Sequence, residues 1–264
     1  IEIREKRRPF HSGDGKFAGV IEGGCGLLGD KLREKFLEFG GTLKYEHDVK
    51  TLESKGSGES RTIVKLVFED DTVFDCGDLT VVSTAPMSKN ANLVGYDSTL
   101  YFRSCHSLVF VTRGADPFPS EYDWLYFGEE GTPFHRVGMQ TRFSRKDVAD
   151  DIHIMCCEIA YTKKPTEEQK LDWEGVCKKR LIETGLLKEC ELLHIIHDDL
   201  GPVYPGYFIG HEQEVARINS LLNKYDNLYS LGSLAEYAYS DLQVLTAKAI
   251  DLAGELSNRS LNVK

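Results

Sequence analysis

Gly24-Cys25-Gly26-Leu27-Leu28-Gly29 has the spacing G-x-G-x-x-G. In that pattern backbone N–H groups and a helix N-terminus face a pyrophosphate. An acidic residue about 20 positions further on then takes a ribose hydroxyl, and Glu46 stands there. Read at face value, this is an NAD site. The fingerprint also needs a solid buried strand ahead of it. Lys16–Glu22 is short and broken by Gly19. The segment beyond the helix alternates like an antiparallel strand instead of leading to a second helix. The favoured reading is a glycine turn that opens a helix beside a ligand.

A second group lies near the C-terminus. An apolar run from Asn227 leads to Gly232, then come Tyr237, Tyr239 and Asp241, and a helical pattern begins at Leu242. Asp241 suits the N-cap position. A helix N-terminus beside a glycine can hold the polar or anionic edge of a cofactor. The tyrosines then offer hydroxyls and flat faces, or they cover the helix start as half-buried aromatics. Composition alone leaves both readings open.

Metal and redox chemistry have weaker support. The seven cysteines, Cys25, Cys76, Cys105, Cys156, Cys157, Cys177 and Cys190, include no C-x-x-C pair. Several sit in apolar runs and read as buried thiols of a cytoplasmic protein. His194 and His197 form an H-x-x-H pair with no ligand set around it. They read as surface or satisfied histidines, so no metal site is expected.

The elements that would carry these groups are legible from periodicity. Leu27, Leu28, Leu32, Phe36 and Phe39 make an amphipathic stripe that Gly40-Gly41 ends. Alternation over 42–52, 62–68 and 72–76, with a turn over 53–60, gives an antiparallel meander. Leu79–Ser83 suits a buried parallel strand. Residues 104–112 and 153–161 read as long strands. Between them runs an aromatic and arginine-rich stretch with Tyr122, Trp124, Tyr126, Arg136 and Arg142. Helices are expected over 166–186, 211–224 and 242–256, and strands over 189–197 and 227–231.

The chain has 264 residues, 41% hydrophobic and 28% charged, which is a globular composition. No stretch approaches ~18 consecutive apolar residues, so no transmembrane helix is expected. Lys+Arg is 32 against Asp+Glu 42, a net charge of −10. That acidity argues against nucleic acid as a partner. It leaves room for a local basic pocket for a phosphorylated small molecule.

Gly232-x-Leu234-Ala235-x-Tyr237-x-Tyr239-x-Asp241 resembles the C-terminal flavin and substrate motif of UDP-galactopyranose mutases. These share a flavoprotein group with protoporphyrinogen oxidases and amine oxidases. Further stretches resemble that group in the same order: 22–28 with its helix, 41–49, 79–86 (LTVVSTAP), Phe134-His-Arg136-Val137 with Phe143-Ser144, and Tyr204-Pro205. In the group, the Gly-Gly turn lies near the flavin and is not the N-terminal fingerprint. Two departures stand out. Ser233 occupies the place of the usual arginine, which removes a charge-assisted contact, and Leu242 replaces a methionine.

The resemblance implies an α/β fold: a partial FAD-binding Rossmann-like domain with a β-meander (1–97 and 212–264) and a substrate domain on a mixed or antiparallel sheet (98–211). It implies FAD as cofactor, near Gly24, Gly26, Gly232, Tyr237, Tyr239 and Asp241. It implies substrate contacts from Trp124, Tyr126, Arg136, Arg142 and Tyr204. The substrate would be a small molecule, a nucleotide sugar or a polysaccharide (LPS-type) precursor. Each arginine has an alternative as an ordinary ion-pair residue. With its charged start at Ile1, the chain reads as the later part of a longer flavoprotein that holds FAD weakly or not at all by itself. The competing reading is a non-catalytic ligand- or partner-binding domain of the same fold.

Overall fold

The computed structural model describes residues 24–119, 121–188 and 191–261. The charged run 2–8, the broken stretch 16–22, Gly23, Glu189 and Cys190 lie outside them. The chain divides into two compact units: residues up to 43 with 104–201, and 44–103 with 202–264. The fold is α/β, with helices and strands interleaved along the chain.

The first unit is built on strands β5 (Phe102–Arg113), β6 (Trp124–Tyr126), β7 (Arg136–Met139), β8 (Ile152–Tyr161) and β9 (Leu192–Pro205), in the order β6-β7-β8-β5-β9. The boundaries between the units fall inside β5 and β9. The pairs β6–β7, β7–β8 and β8–β5 are antiparallel. Leu108 and Phe110 of β5, Met155 and Cys157 of β8, and Val137 of β7 are wholly buried with Cys177 and Leu181 of helix α3 (Glu167–Glu183). Helix α3 starts where the sequence says it should. Thr166 accepts from the Gln169 N–H, and the Gln169 side chain bonds back to the Thr166 N–H, closing a capping box.

Helix α1 (Gly26–Glu38) is closed by Gly40-Gly41 as expected: Gly40, at φ +85°, donates to the Leu37 carbonyl and Gly41 to that of Phe36, both at 2.9 Å. Against the described residues no side chain of its apolar stripe is fully buried: Leu32 is 63% and Phe39 84% exposed.

The second unit holds the meander β1 (Val49–Ser57), β2 (Ser60–Phe68) and β3 (Val73–Asp75). Strand β1 begins later than the alternation over 42–52 indicates and runs through the expected turn. The reason is the hairpin: Ser57 pairs with Ser60, so only Gly58-Glu59 turn, with Gly58 at φ +65°. A glycine at the first position of a two-residue loop matches the twist of the flanking strands.

Strands β4 (Val81–Ser83) and β10 (Leu228–Ser230) pair in parallel, as the apolar run indicates. The pair is not fully buried; Val82 is 40% exposed. Among the described residues this sheet has only two strands. Helix α2 (Met87–Leu93), which periodicity does not show, packs Met87 and Ala91 against Ile218 and Leu222 of α4 (His211–Leu222). Helix α5 (Leu242–Leu261) closes the described chain. Strand β9 runs to Pro205, further than the expected end at His197.

Candidate functional site

The second unit carries a cavity of about 490 Å³ lined by Tyr101, Arg103, Tyr204, Pro205, Gly206, Tyr207 and Tyr239. Tyr101 and Arg103 come from the start of β5 and the residue before it. Tyr204 and Pro205 end β9, and Tyr239 belongs to the loop ahead of α5. The Tyr204 and Tyr239 rings lie 5.6 Å apart, tilted by 36°. Both are exposed enough to meet a ligand (48% and 62%).

Two close approaches hold this lining in place. Gly206 lies against the Tyr101 ring: a Cβ there would come within 2.1 Å of it, and the Gly206 N–H donates to the Tyr101 carbonyl at 2.9 Å. Only glycine leaves that room. Behind both sits Tyr237, 3% exposed. Its hydroxyl lies 2.7 Å from the Gly206 carbonyl and 3.0 Å from that of Tyr101. Its ring meets those of Phe102 and Tyr207 edge-on. Burial pushes its pKa up, so it stays a neutral donor. Tyr207 in turn accepts from the Tyr239 N–H at 2.9 Å.

Arg103 is the cation of this cavity. It forms no ion pair with any described residue. A guanidinium beside tyrosine faces and hydroxyls is a setting for a phosphate or carboxylate group. Sequence reading missed Tyr101, Arg103 and Tyr207. The one available signal was the run of tyrosines and prolines over 201–210.

The cofactor candidates fall in both units. Gly232 follows β10, and a Cβ there would meet nothing within 4 Å, so the space beside it is open. Its N–H and carbonyl bond the Glu236 side chain and backbone N–H. The Asp241 carbonyl accepts from the N–H groups of Val244 and Leu245, as the residue that opens α5 should. The Ser233 hydroxyl bonds the Ser240 carbonyl at 3.3 Å. Gly24 and Gly26 stand at the start of α1, also in open space. Gly24 lines a separate cavity of about 410 Å³ in the first unit, with Thr141, Phe143 and Lys146.

Of the substrate candidates, only Tyr204 lies in the tyrosine cavity. Trp124 stacks on Phe143, 5.9 Å apart. Tyr126 faces Arg136 across β6–β7. Arg136 pairs with Glu158 at 2.5 Å. Burial would lower the Arg136 pKa, but the Glu158 hydrogen bond and charge carry it above its ordinary value. Arg142 is committed entirely. Its five N–H groups match five contacts: two to Asp116, and one each to the carbonyls of Phe118, Pro119 and Tyr122. It staples the loop after β5.

No family model matches the sequence, and a search of curated proteins returns no match. Solved structures do match. A reduced UDP-galactopyranose mutase superposes with a TM-score of 0.67 over 83% of this chain, at 22% identity. The chain shares the fold of about half of that mutase. A protoporphyrinogen oxidase-like protein of Exiguobacterium sp. 255-15 matches at 0.56, over 78% of the chain and with 14% identity. An oxidoreductase of Methanosarcina mazei matches at 0.51, over 81% and with 17% identity. The chain spans about half the length of these structures: 47%, 46% and 50% of them.

After α1 the route of the chain decides the reading of Gly24–Gly29. It enters the antiparallel meander β1–β2–β3. That is not the parallel βαβ unit an NAD fingerprint would need.

Proposed function

We propose that this chain is part of a flavin-dependent oxidoreductase or mutase, and that the tyrosine cavity takes the anionic portion of a nucleotide sugar or related polysaccharide precursor. The observation that carries this reading is Arg103, a guanidinium without a described carboxylate partner among tyrosine faces. Tyr204 and Tyr239 would stack on or bond the ligand, and Arg103 would neutralise its charge. Tyr237 holds the lining from behind. Helices long and apolar enough to cross a membrane are absent among the described residues. The buried free thiols suit a cytoplasmic setting.

FAD is the cofactor the resemblance implies. The residues present fit it in part. The open space at Gly232 allows close approach of a ring edge. Tyr239 and Asp241, ahead of α5, would hold its polar side. Flavin, when bound, supplies the electron transfer or nucleophilic chemistry. This chain's residues bind and orient the substrate. The domain ranges 1–97 with 212–264 and 98–211 keep their assignment to cofactor and substrate as part of this proposal.

The test expresses the full-length protein. A flavin absorbance band is expected, with UDP binding by calorimetry. Arg103→Gln should weaken UDP roughly 10- to 100-fold, the worth of one charge-assisted hydrogen bond. Colourless protein that takes up no added FAD would overturn the flavin reading. An Arg103→Gln protein that binds UDP as tightly as wild type would overturn the role of the cavity. One observation favours the second reading, a non-catalytic domain: Ser233, which bonds the Ser240 carbonyl, stands where the resemblance implies an arginine. On that reading Ser233→Arg gains neither flavin affinity nor turnover.

A further inference from the structure

In the first unit, four side chains form an unbroken line: Asp199, His106, His197 and Glu174. Asp199 Oδ1 lies 3.0 Å from His106 Nδ1, and His106 Nε2 lies 3.1 Å from His197 Nδ1. His197 Nε2 lies 2.7 Å from Glu174 Oε2. His106 is 1% exposed. His194 has no part in this line. Three residues apart on a strand, it and His197 project to opposite faces.

The line has three gaps, and each needs one proton, because two facing lone pairs repel. Two neutral imidazoles bring only two N–H protons. Carboxylates bring none at neutral pH. We infer that His106 and His197 together hold one extra proton, shared across the gap between them, and that this proton makes the line a pH-responsive clamp of helix α3 on strands β5 and β9.

The surrounding charges agree with this count. Lys170 of α3 lies 2.9 Å from Asp199 Oδ2 and also pairs with Glu167. From β8, Tyr161 donates to Asp199 at 3.1 Å. Burial would raise the Asp199 pKa, but the hydrogen bonds from Lys170, His106 and Tyr161 hold it down to about 2, so Asp199 accepts and never donates. With Glu167 counted, three carboxylates face one ammonium and one shared proton, so the cluster keeps a negative charge, which favours holding that proton. Losing the proton leaves two lone pairs face to face. Adding another sets two N–H groups against each other. The clamp is whole only between these limits.

The test uses the full chain labelled with 15N-histidine. Near pH 7 one strongly downfield N–H···N proton is expected, with scalar coupling between the facing nitrogens of His106 and His197. As rising pH removes the shared proton, the folding equilibrium should also fall more steeply than in His197→Gln, by up to about tenfold per unit. Comparing the two proteins cancels the contribution of the buried thiols. Facing nitrogens that are both unprotonated would overturn the inference, as would a pair that yields zinc to a chelator. Equal pH slopes in the two proteins would overturn the clamp. If His197→Gln does not fold, the spectrum of the wild type decides.

Discussion

Replacing Tyr237 with phenylalanine separates two roles for a residue of the glycine–tyrosine motif. The hydroxyl is committed to the Gly206 and Tyr101 carbonyls, at 2.7 and 3.0 Å. The Tyr101 carbonyl keeps another donor, the Gly206 N–H at 2.9 Å. The Gly206 carbonyl loses the Tyr237 donor in a buried place. One net hydrogen bond plus the cost of an under-satisfied carbonyl amounts to about 1–2 kcal/mol. That is roughly a 5- to 30-fold change in the folded-to-unfolded ratio.

The assay must read the second unit. Trp124 and Trp173 both belong to the first unit, so tryptophan fluorescence would report elsewhere. Urea denaturation followed by circular dichroism, with amide exchange at Gly206, reads the right place. Tyr237→Phe should lower the midpoint and speed exchange at Gly206. Tyr239→Phe, at a 62% exposed position, should stay within about 0.5 kcal/mol of wild type. A Tyr237→Phe protein as stable as wild type, with unchanged Gly206 exchange, would refute the bracing role.

Three other outcomes follow from the same geometry. Arg142→Lys cannot serve five acceptor contacts, and should destabilise the first unit by about 2–4 kcal/mol and expose the loop over 114–122 to proteolysis. Trp124 fluorescence and a protease digest read this. Thr166→Ala removes the capping box of α3 and should cost about 1 kcal/mol by denaturant titration. Asp199 is held at about 2 by Lys170, His106 and Tyr161 against the effect of burial. Its contribution to stability is therefore present above the ordinary carboxylate range and lost as pH falls from about 4 toward 2. Asp199→Asn should flatten that part of the acid-denaturation curve.

Sequence alone determined the elements whose signal is local. The capping box at Thr166 and the amphipathic pattern of α4 depend on residues three and four apart. So does the opening of α5 at Asp241. The parallel nature of β4 was also legible, because its run from Leu79 to Ser83 is apolar without alternation. The glycine–tyrosine motif drew attention to the right loop.

Tertiary structure decided what each side chain does. Tyr237 and Tyr239 are two residues apart, yet one is buried against carbonyls and the other faces the cavity. Arg136 and Arg142 read as ligand contacts by type, but Glu158 and Asp116 lie 22 and 26 positions away in sequence and claim them. Arg103 carries no motif and gained its candidate role from the neighbours that the fold brought to it. His106 and His197 met across 91 positions. Helix and strand form from neighbours along the chain, whereas a site forms from partners the chain must fold to find.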